Sequence, residues 1–185
     1  MRTFVAIDLS EEIKKNLILL LNQLDTGSRS VKWVKRQAMH VTLKFLGEIS
    51  EIKADEVKSA LERTASIHHS FPLTVKGTGT FPQGKKSPRV IWTGISENDS
   101  LSNLQSSIED ELEQLGFPKE KRKFIPHLTL GRVKATFDLP SILSVLARYK
   151  DTEFGFMEVK KITFFRSILK PTGAEYSILS EFALQ

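Results

Sequence analysis

The tetrapeptide His-x-Thr-Leu occurs twice in this chain, beginning at His40 and at His127, although the chain contains only four histidines. Each copy lies in a segment rich in apolar and β-branched residues, which predicts a β-strand. Because side chains alternate between the two faces of a strand, His40 shares a face with Thr42, and His127 shares a face with Thr129. Each motif therefore offers an apolar face to a core and an imidazole–hydroxyl pair to solvent or to a ligand.

Other segments also coincide when the chain is shifted along itself by 127 − 40 = 87 residues. The shift brings predicted strands onto strands and predicted helices onto helices, without strong residue identity outside the two motifs. The coinciding segments are 4–8 with 91–95, the helix after Ser10 with the helix from 100, and 73–80 with 160–167. The chain is therefore expected to contain two similar halves, approximately 1–87 and 88–185.

The repeat predicts a single α+β domain, residues 1–185, with two pseudo-symmetric lobes. Each lobe is expected to carry a mainly antiparallel sheet with helices on its outer face. A groove between the two sheets, with one motif on each side, is the expected site. Helices are predicted after Ser10, over 50–67, over 100–116 and near 139–148, and the last strands are predicted near 154–168 and 175–184.

The two motif histidines form a potential acid–base pair. Imidazoles with ordinary pKa values of about 6.5 can hold opposite protonation states near neutral pH, one as general base and one as general acid. The hydroxyls of Thr42 and Thr129 can donate hydrogen bonds to anionic oxygens between them. This set suits in-line displacement at a phosphodiester without a metal, and a strained ribose 2′,3′-cyclic phosphate is the easiest such substrate. Symmetric motifs give no basis for deciding which histidine is the acid.

Four segments together resemble the two-histidine (2H) phosphoesterase superfamily: MHVTLKFLGE, PHLTLGRV, RTFVAIDL near the start and VKWVKRQAMH before the first motif. The similarity is greatest to the RNA 2′,3′-cyclic phosphodiesterases of bacteria and archaea, formerly called 2′-5′ RNA ligases, and spans essentially the whole chain. The resemblance implies hydrolysis of a terminal 2′,3′-cyclic phosphate to a 2′-phosphate. It further implies that His40 donates a proton to the leaving O3′, that His127 accepts a proton from water, and that Thr42 and Thr129 bind phosphate.

Two further residues near the motifs depend on local strand geometry. The family tends to carry an arginine after the second motif, matched here by Arg132, which implies phosphate binding. Strict alternation places Arg132 on the Leu128 face, away from the histidines, unless Gly131 makes a β-bulge. By the same alternation Phe45 falls on the Val41 face and is expected in the core, with base stacking as the alternative.

The composition removes several classes of function. With no cysteines, the chain has no disulfides, thiolate zinc sites or cysteine nucleophiles. No stretch approaches about 18 consecutive apolar residues, and the start lacks the order of a signal peptide, so we expect a cytoplasmic protein with no membrane partner. The formal charge of +5 indicates either a polyanionic partner or a solvated basic surface. No obligate protein partner is evident.

No metal or cofactor is expected. A site at His40 and His127 would need a further ligand, and neither motif contains a carboxylate. The adjacent His68 and His69 splay apart and are interpreted as a solvated helix end. Trp33 and Trp92, each in or beside a predicted strand, are expected to be structural.

Two basic segments are predicted as loops at the rim of the groove. Their positive residues are Lys119, Lys121, Arg122 and Lys123 in one segment and Lys85, Lys86 and Arg89 in the other. They either contact an RNA backbone or keep the surface soluble.

Three functions remain open from the sequence. The first is hydrolysis of a 2′,3′-cyclic phosphate on RNA or on a small nucleotide. The second is RNA 2′-5′ end ligation, the same chemistry in reverse. The third is a non-enzymatic RNA-binding module, which explains the charge but not the repeated acid–base motif.

Overall fold

The computed structural model describes residues 1–27, 29–83, 87–170 and 173–185. The strands are β1 (Arg2–Asp8), β2 (Val31–Trp33), β3 (His40–Glu48), β4 (Phe71–Phe81), β5 (Val90–Ile95), β6 (His127–Val133), β7 (Glu153–Val159), β8 (Lys161–Lys170) and β9 (Gly173–Ala183). The helices are α1 (Glu11–Leu24), α2 (Glu51–Ala65), α3 (Asp99–Gln114) and α4 (Leu139–Ala147), with a short 3₁₀ helix at Arg36–Ala38. The basic residues Lys85 and Lys86 of the predicted rim lie outside the described residues.

The strands form two sheets in which every neighbouring pair is antiparallel. Sheet A has the strand order β3-β1-β8-β9, and sheet B has the order β2-β6-β5-β4-β7. Helices α2 and α3 pack against sheet A, and helices α1 and α4 pack against sheet B. The predicted α+β architecture of two antiparallel sheets with outer helices is therefore confirmed.

Neither sheet is built from one half of the sequence alone. Strand β8, from the second half, pairs with β1 in sheet A, while its counterpart β4, from the first half, pairs with β5 in sheet B. The first three strands of sheet A, β3-β1-β8, thus correspond to β6-β5-β4 of sheet B under the shift of 87 residues, with the third strand exchanged. The region near 154–168 in which strands are predicted contains two strands that belong to different sheets, β7 in sheet B and β8 in sheet A.

The helices begin where the sequence places capping residues. The Ser10 hydroxyl accepts a hydrogen bond from the Ile13 amide, and the Asn98 side chain accepts one from the Leu101 amide. Each helix buries one apolar stripe in a core that is continuous between the lobes. The fold therefore leaves the opposite faces of the two sheets, which we call the groove faces, outside this main core.

Strands β3 and β6 contain equivalent bulges. Leu43 has no partner on β1, because Val5 is aligned with Lys44 and Ala6 with Thr42. On β6, Leu130 likewise has no partner on β5, and it lies 87 residues after Leu43. An extra residue reverses the alternation of the residues that follow it, up to the next bulge, which on β3 lies at Leu46. The side chains that follow the two bulges therefore return to the groove faces.

Candidate active site

His40 lies in an aromatic cage on the groove face of sheet A. The centroid of its imidazole is 4.8 Å from the Phe4 ring, 5.5 Å from the Phe165 ring and 5.2 Å from the Tyr176 ring. These three residues belong to β1, β8 and β9, and together with Ala6 they form an apolar cluster separate from the main core. Sheet A therefore holds the first motif histidine against apolar surface rather than in open solvent.

This burial controls the charge of His40. Desolvation lowers the pKa of its imidazole to about 4, while the nearby Asp8 carboxylate acts in the opposite direction and Lys14 adds to the lowering. Asp8 is aligned with His40 across β1 and β3, and both of its carboxylate oxygens lie within 3.0 Å of the Lys14 ammonium. The Asp8–Lys14 pair leaves little net charge beside the imidazole, so desolvation dominates its pKa and favours the neutral form of His40.

His127 stands at the start of β6 on the groove face of sheet B. Its Nδ1 lies 2.8 Å from the carbonyl oxygen of Ile125. A carbonyl oxygen accepts but cannot donate, so Nδ1 carries the proton and the neutral ring presents the lone pair of Nε2. The Phe81 ring packs edge-on against the imidazole with centroids 5.0 Å apart. Backbone and ring contacts together therefore fix both the tautomer and the orientation of His127.

Thr42 and Thr129 follow their histidines on the groove faces, as alternation predicts. Both are partly exposed, and neither hydroxyl hydrogen-bonds to another residue in the described part of the chain. Thr42 is aligned with the small Ala6 and Thr129 with Trp92. Two hydroxyl donors without an acceptor among the described residues are thus presented at the groove.

Arg132 and Phe45 both follow a bulge and both lie at the groove. The expectation that Phe45 is a core residue is wrong: its side chain is 68% exposed, and its ring is 5.9 Å from that of Phe4. Arg132 is also exposed, and its positive charge acts on the phenol of Tyr176, whose pKa is raised chiefly by burial and lowered in part by Arg132 and Arg2. The sequence places Arg132 on the histidine face only if Gly131 makes a β-bulge, and β6 has this bulge at Leu130 and Gly131.

The two tryptophans have different environments. Trp33 covers Gly131, where a Cβ atom would come within 2.7 Å of the indole, and it packs against the main core. Trp92 lies flat over Gly79, where a Cβ atom would come within 2.3 Å of the indole, and its ring is 5.2 Å from Phe81. Trp33 is structural as expected, while Trp92 is aligned with Thr129 and packs against Phe81, the ring that contacts His127.

The basic segment before the second motif is anchored by a buried ion pair. The Lys44 ammonium pairs with Glu109 and donates to the carbonyl of Pro118 at 2.9 Å, and Glu109 accepts from the Glu120 amide at 3.2 Å. Within this segment, Lys119 pairs with acidic residues of α3, whereas Lys121, Arg122 and Lys123 are exposed and form no such pair within the described residues. Sequence reasoning missed Lys44, because it lies in a strand among apolar residues.

The remaining two histidines lie elsewhere. His68 follows α2, and its Nε2 is 3.0 Å from the Ser107 hydroxyl; desolvation and the neighbouring His69 lower its pKa. Within residues 1–27, 29–83, 87–170 and 173–185, no three His, Asp or Glu side chains are arranged to hold a metal ion. In the same residues no helix is long and apolar enough to cross a membrane.

Comparison with known proteins gives matches over the whole chain. The family model described as LigT-like phosphoesterase matches residues 7–92 and 94–176. A protein of Thermotoga maritima named RNA 2′,3′-cyclic phosphodiesterase is 40% identical over 183 residues, covering 98% of this chain and 94% of its own length. A protein of the same name from Methanocaldococcus jannaschii is 37% identical over 182 residues, covering 98% and 100%.

Solved structures agree with these matches. The protein TT0787 of Thermus thermophilus superposes with a TM-score of 0.85 at 30% identity, covering 100% of this chain and 98% of that one. E. coli LigT in complex with 3′-AMP superposes with a TM-score of 0.80 at 25% identity, covering 99% and 97%. Sequence and fold therefore point to the same group of proteins.

Proposed function

The chain belongs to the LigT-like phosphoesterase family, and from this premise we propose that it hydrolyses terminal 2′,3′-cyclic phosphates of RNA to 2′-phosphates by metal-independent, two-histidine acid–base catalysis. The observation that carries the proposal is the repeated imidazole–hydroxyl pair on equivalent strands of the two sheets, with one histidine held in a defined tautomer. Full-length relatives named RNA 2′,3′-cyclic phosphodiesterase support the substrate.

His127 is the general base in this proposal. Its Nδ1–H is donated to Ile125, so Nε2 takes the proton of a water molecule as the water oxygen bonds to phosphorus. The phosphorus–O3′ bond breaks on the opposite side, in line with the attack. The product keeps the phosphate on O2′ and carries a free 3′-hydroxyl.

His40 is the general acid and gives its proton to the departing O3′. The cage holds the pKa of His40 at about 4 in the free protein, so the proton must be taken up when the anionic phosphate binds. A negative charge close to a desolvated imidazole raises its pKa strongly, because the cage excludes the water that would screen the charge. The acid is thereby charged when substrate occupies the groove.

Other side chains bind the substrate. Thr42 and Thr129 donate their hydroxyls to the non-bridging phosphate oxygens, and Arg132 supplies positive charge from sheet B. Phe45, exposed beside Phe4, offers a face on which the terminal base can stack. These roles use the residues that the two motifs and their bulges bring to the groove.

The test is incubation in EDTA with an RNA oligonucleotide that ends in a 2′,3′-cyclic phosphate, with the product isomer identified. We expect a 2′-phosphate product that the His40→Ala and His127→Ala variants do not form. Turnover only after a divalent metal is added would contradict the metal-independent mechanism, and RNA binding without any turnover would point to a binding module.

A second substrate separates the acid from the base. Sulfur in place of the bridging 3′ oxygen gives a thiolate leaving group, which departs without a proton because thiols are far more acidic than alcohols. The His40→Ala variant should recover most of its activity on this substrate and the His127→Ala variant should not. The opposite pattern would reverse the two roles.

A further inference from the structure

Arg2 lies on the groove face of sheet A, beyond the cage around His40. Along β1 the side chains of Phe4 and Ala6 belong to the groove-face cluster, and alternation places Arg2 on the same face. Across the sheet, Arg2 is aligned with Ser167, and Ser167 is aligned with Tyr176. Arg2 is therefore in the next row of the sheet after the Phe4–Phe165 row.

The surroundings of Arg2 are open and carry positive charge. Its side chain is exposed and forms no ion pair with any carboxylate in the described part of the chain. It borders a cavity of about 460 Å³ that is also lined by Met1, Arg166, Ser167 and the carboxylate of Glu48. Two arginines and one glutamate line the cavity, a net positive charge that favours an anion. Arg166 is aligned with Thr3, so alternation turns it to the opposite face and Arg2 is the arginine that faces the groove.

Arg2 is also electrostatically connected to the catalytic groove. Burial raises the pKa of the Tyr176 phenol, and the positive charges of Arg132 and Arg2 both act to lower it. Tyr176 itself packs edge-on against His40. One phenol is thus within reach of a cation from each sheet, with Arg132 on the catalytic side and Arg2 on the far side of the cage.

We propose that Arg2 and its cavity form a second phosphate subsite, which binds the phosphate on the 5′ side of the terminal nucleotide and makes an RNA chain, rather than a small cyclic nucleotide, the preferred substrate. This inference rests on the proposed function. Three residues of β1 lie between Ala6, opposite the phosphate-binding Thr42, and Arg2, so the two are four residue steps or about 13 Å apart along an extended strand. An arginine side chain reaching back over Phe4 shortens this distance to the span of one nucleotide stacked on Phe45.

The kinetic test compares two substrates that differ only at the 5′ position: adenosine 2′,3′-cyclic phosphate with a 5′-hydroxyl and the same compound with a 5′-phosphate. We expect kcat/KM to be about tenfold higher for the 5′-phosphorylated substrate, because a guanidinium–phosphate contact is charge-assisted. Arg2→Gln should reduce this ratio towards one. Arg148→Gln, which removes an exposed arginine after α4, should leave the ratio as in the parent protein.

A binding measurement separates failure of this subsite from failure of the proposed function. Adenosine 2′,5′-bisphosphate should bind about tenfold more tightly than adenosine 2′-phosphate by calorimetry, and Arg2→Gln should abolish the difference. A preference in binding without turnover of either substrate would retain the subsite and overturn the hydrolase. Equal kcat/KM and equal affinity with and without the 5′-phosphate, or a preference unchanged in Arg2→Gln, would overturn the subsite, as would failure to bind either ligand.

Discussion

Phe45 and Arg132 occupy equivalent positions, 87 residues apart, each directly after a β-bulge that turns its side chain back to the groove. The bulges at Leu43 and Leu130 place two consecutive buried residues where a regular strand would alternate. The same local device in both sheets thus extends the surface begun by the histidine and threonine of each motif. Sheet A gains an exposed aromatic ring and sheet B gains a cation.

Loss of either motif histidine should remove most activity. His40→Ala and His127→Ala are each expected to lower kcat at least ~100-fold on a 2′,3′-cyclic phosphate end, because neither histidine can perform the other's proton transfer. Initial rates at pH 7 measure the effect. His68→Ala, which changes a histidine outside the groove, is the matched control and should retain activity. A variant of His40 or His127 with nearly normal kcat would contradict the acid–base pair.

The His40 cage should make stability depend on pH. The pKa of His40 is about 4 when folded and about 6.5 in an unfolded chain, so only the unfolded state takes up the proton between these values. The contribution of neutral His40 is therefore present above pH 6.5 and lost as the pH falls to 4, amounting to about 3 kcal/mol.

Urea unfolding from pH 7 to pH 4 checks this expectation by comparison with His40→Gln. Over this window the unfolding free energy of the parent protein should fall relative to that of the variant, because the variant lacks the titrating imidazole. A constant difference would show that burial does not shift the His40 pKa. Titration of the His40 ring by NMR gives an independent value.

Phe45 should contribute to nucleotide affinity without contributing to folding. Because its ring is 68% exposed, Phe45→Ala should leave the melting temperature nearly unchanged. Stacking of a base on an aromatic ring is worth about 1–3 kcal/mol, so the Kd for adenosine 2′-phosphate should rise about fivefold or more. Phe156→Ala, at a ring 73% exposed on β7, is the control. An unchanged Kd in Phe45→Ala would exclude stacking.

Removing one partner of the buried ion pair between Lys44 and Glu109 should lower the free energy of unfolding. Their side chains are only 5% and 9% exposed, so Lys44→Met leaves a buried carboxylate without its cation and should cost about 3–5 kcal/mol of unfolding free energy. The double variant Lys44→Met, Glu109→Met should recover much of this loss, because no buried charge remains. Denaturant unfolding measures both variants, and a double variant less stable than the single one would disprove the account.

Local spacing along the chain was enough to predict the motif strands, the capped helices and the faces of four residues. Alternation with a period of two places His40 with Thr42 and His127 with Thr129 whatever the strands pair with, and these expectations hold at the described groove faces. The shift of 87 residues also anticipated the order of elements. These features are readable from one segment at a time, because they depend only on near neighbours in the chain.

Long-range pairing set which strands share a sheet, where Phe45 and Arg132 point, and the desolvation of His40. A bulge exists only relative to the register of a partner strand, so alternation within β3 placed Phe45 wrongly in the core. The His40 cage joins Phe4 to Phe165 and Tyr176, which are more than 150 residues further along the chain, and only their convergence removes water from the imidazole. Pairing and desolvation are properties of distant residues brought together, and no single segment carries them.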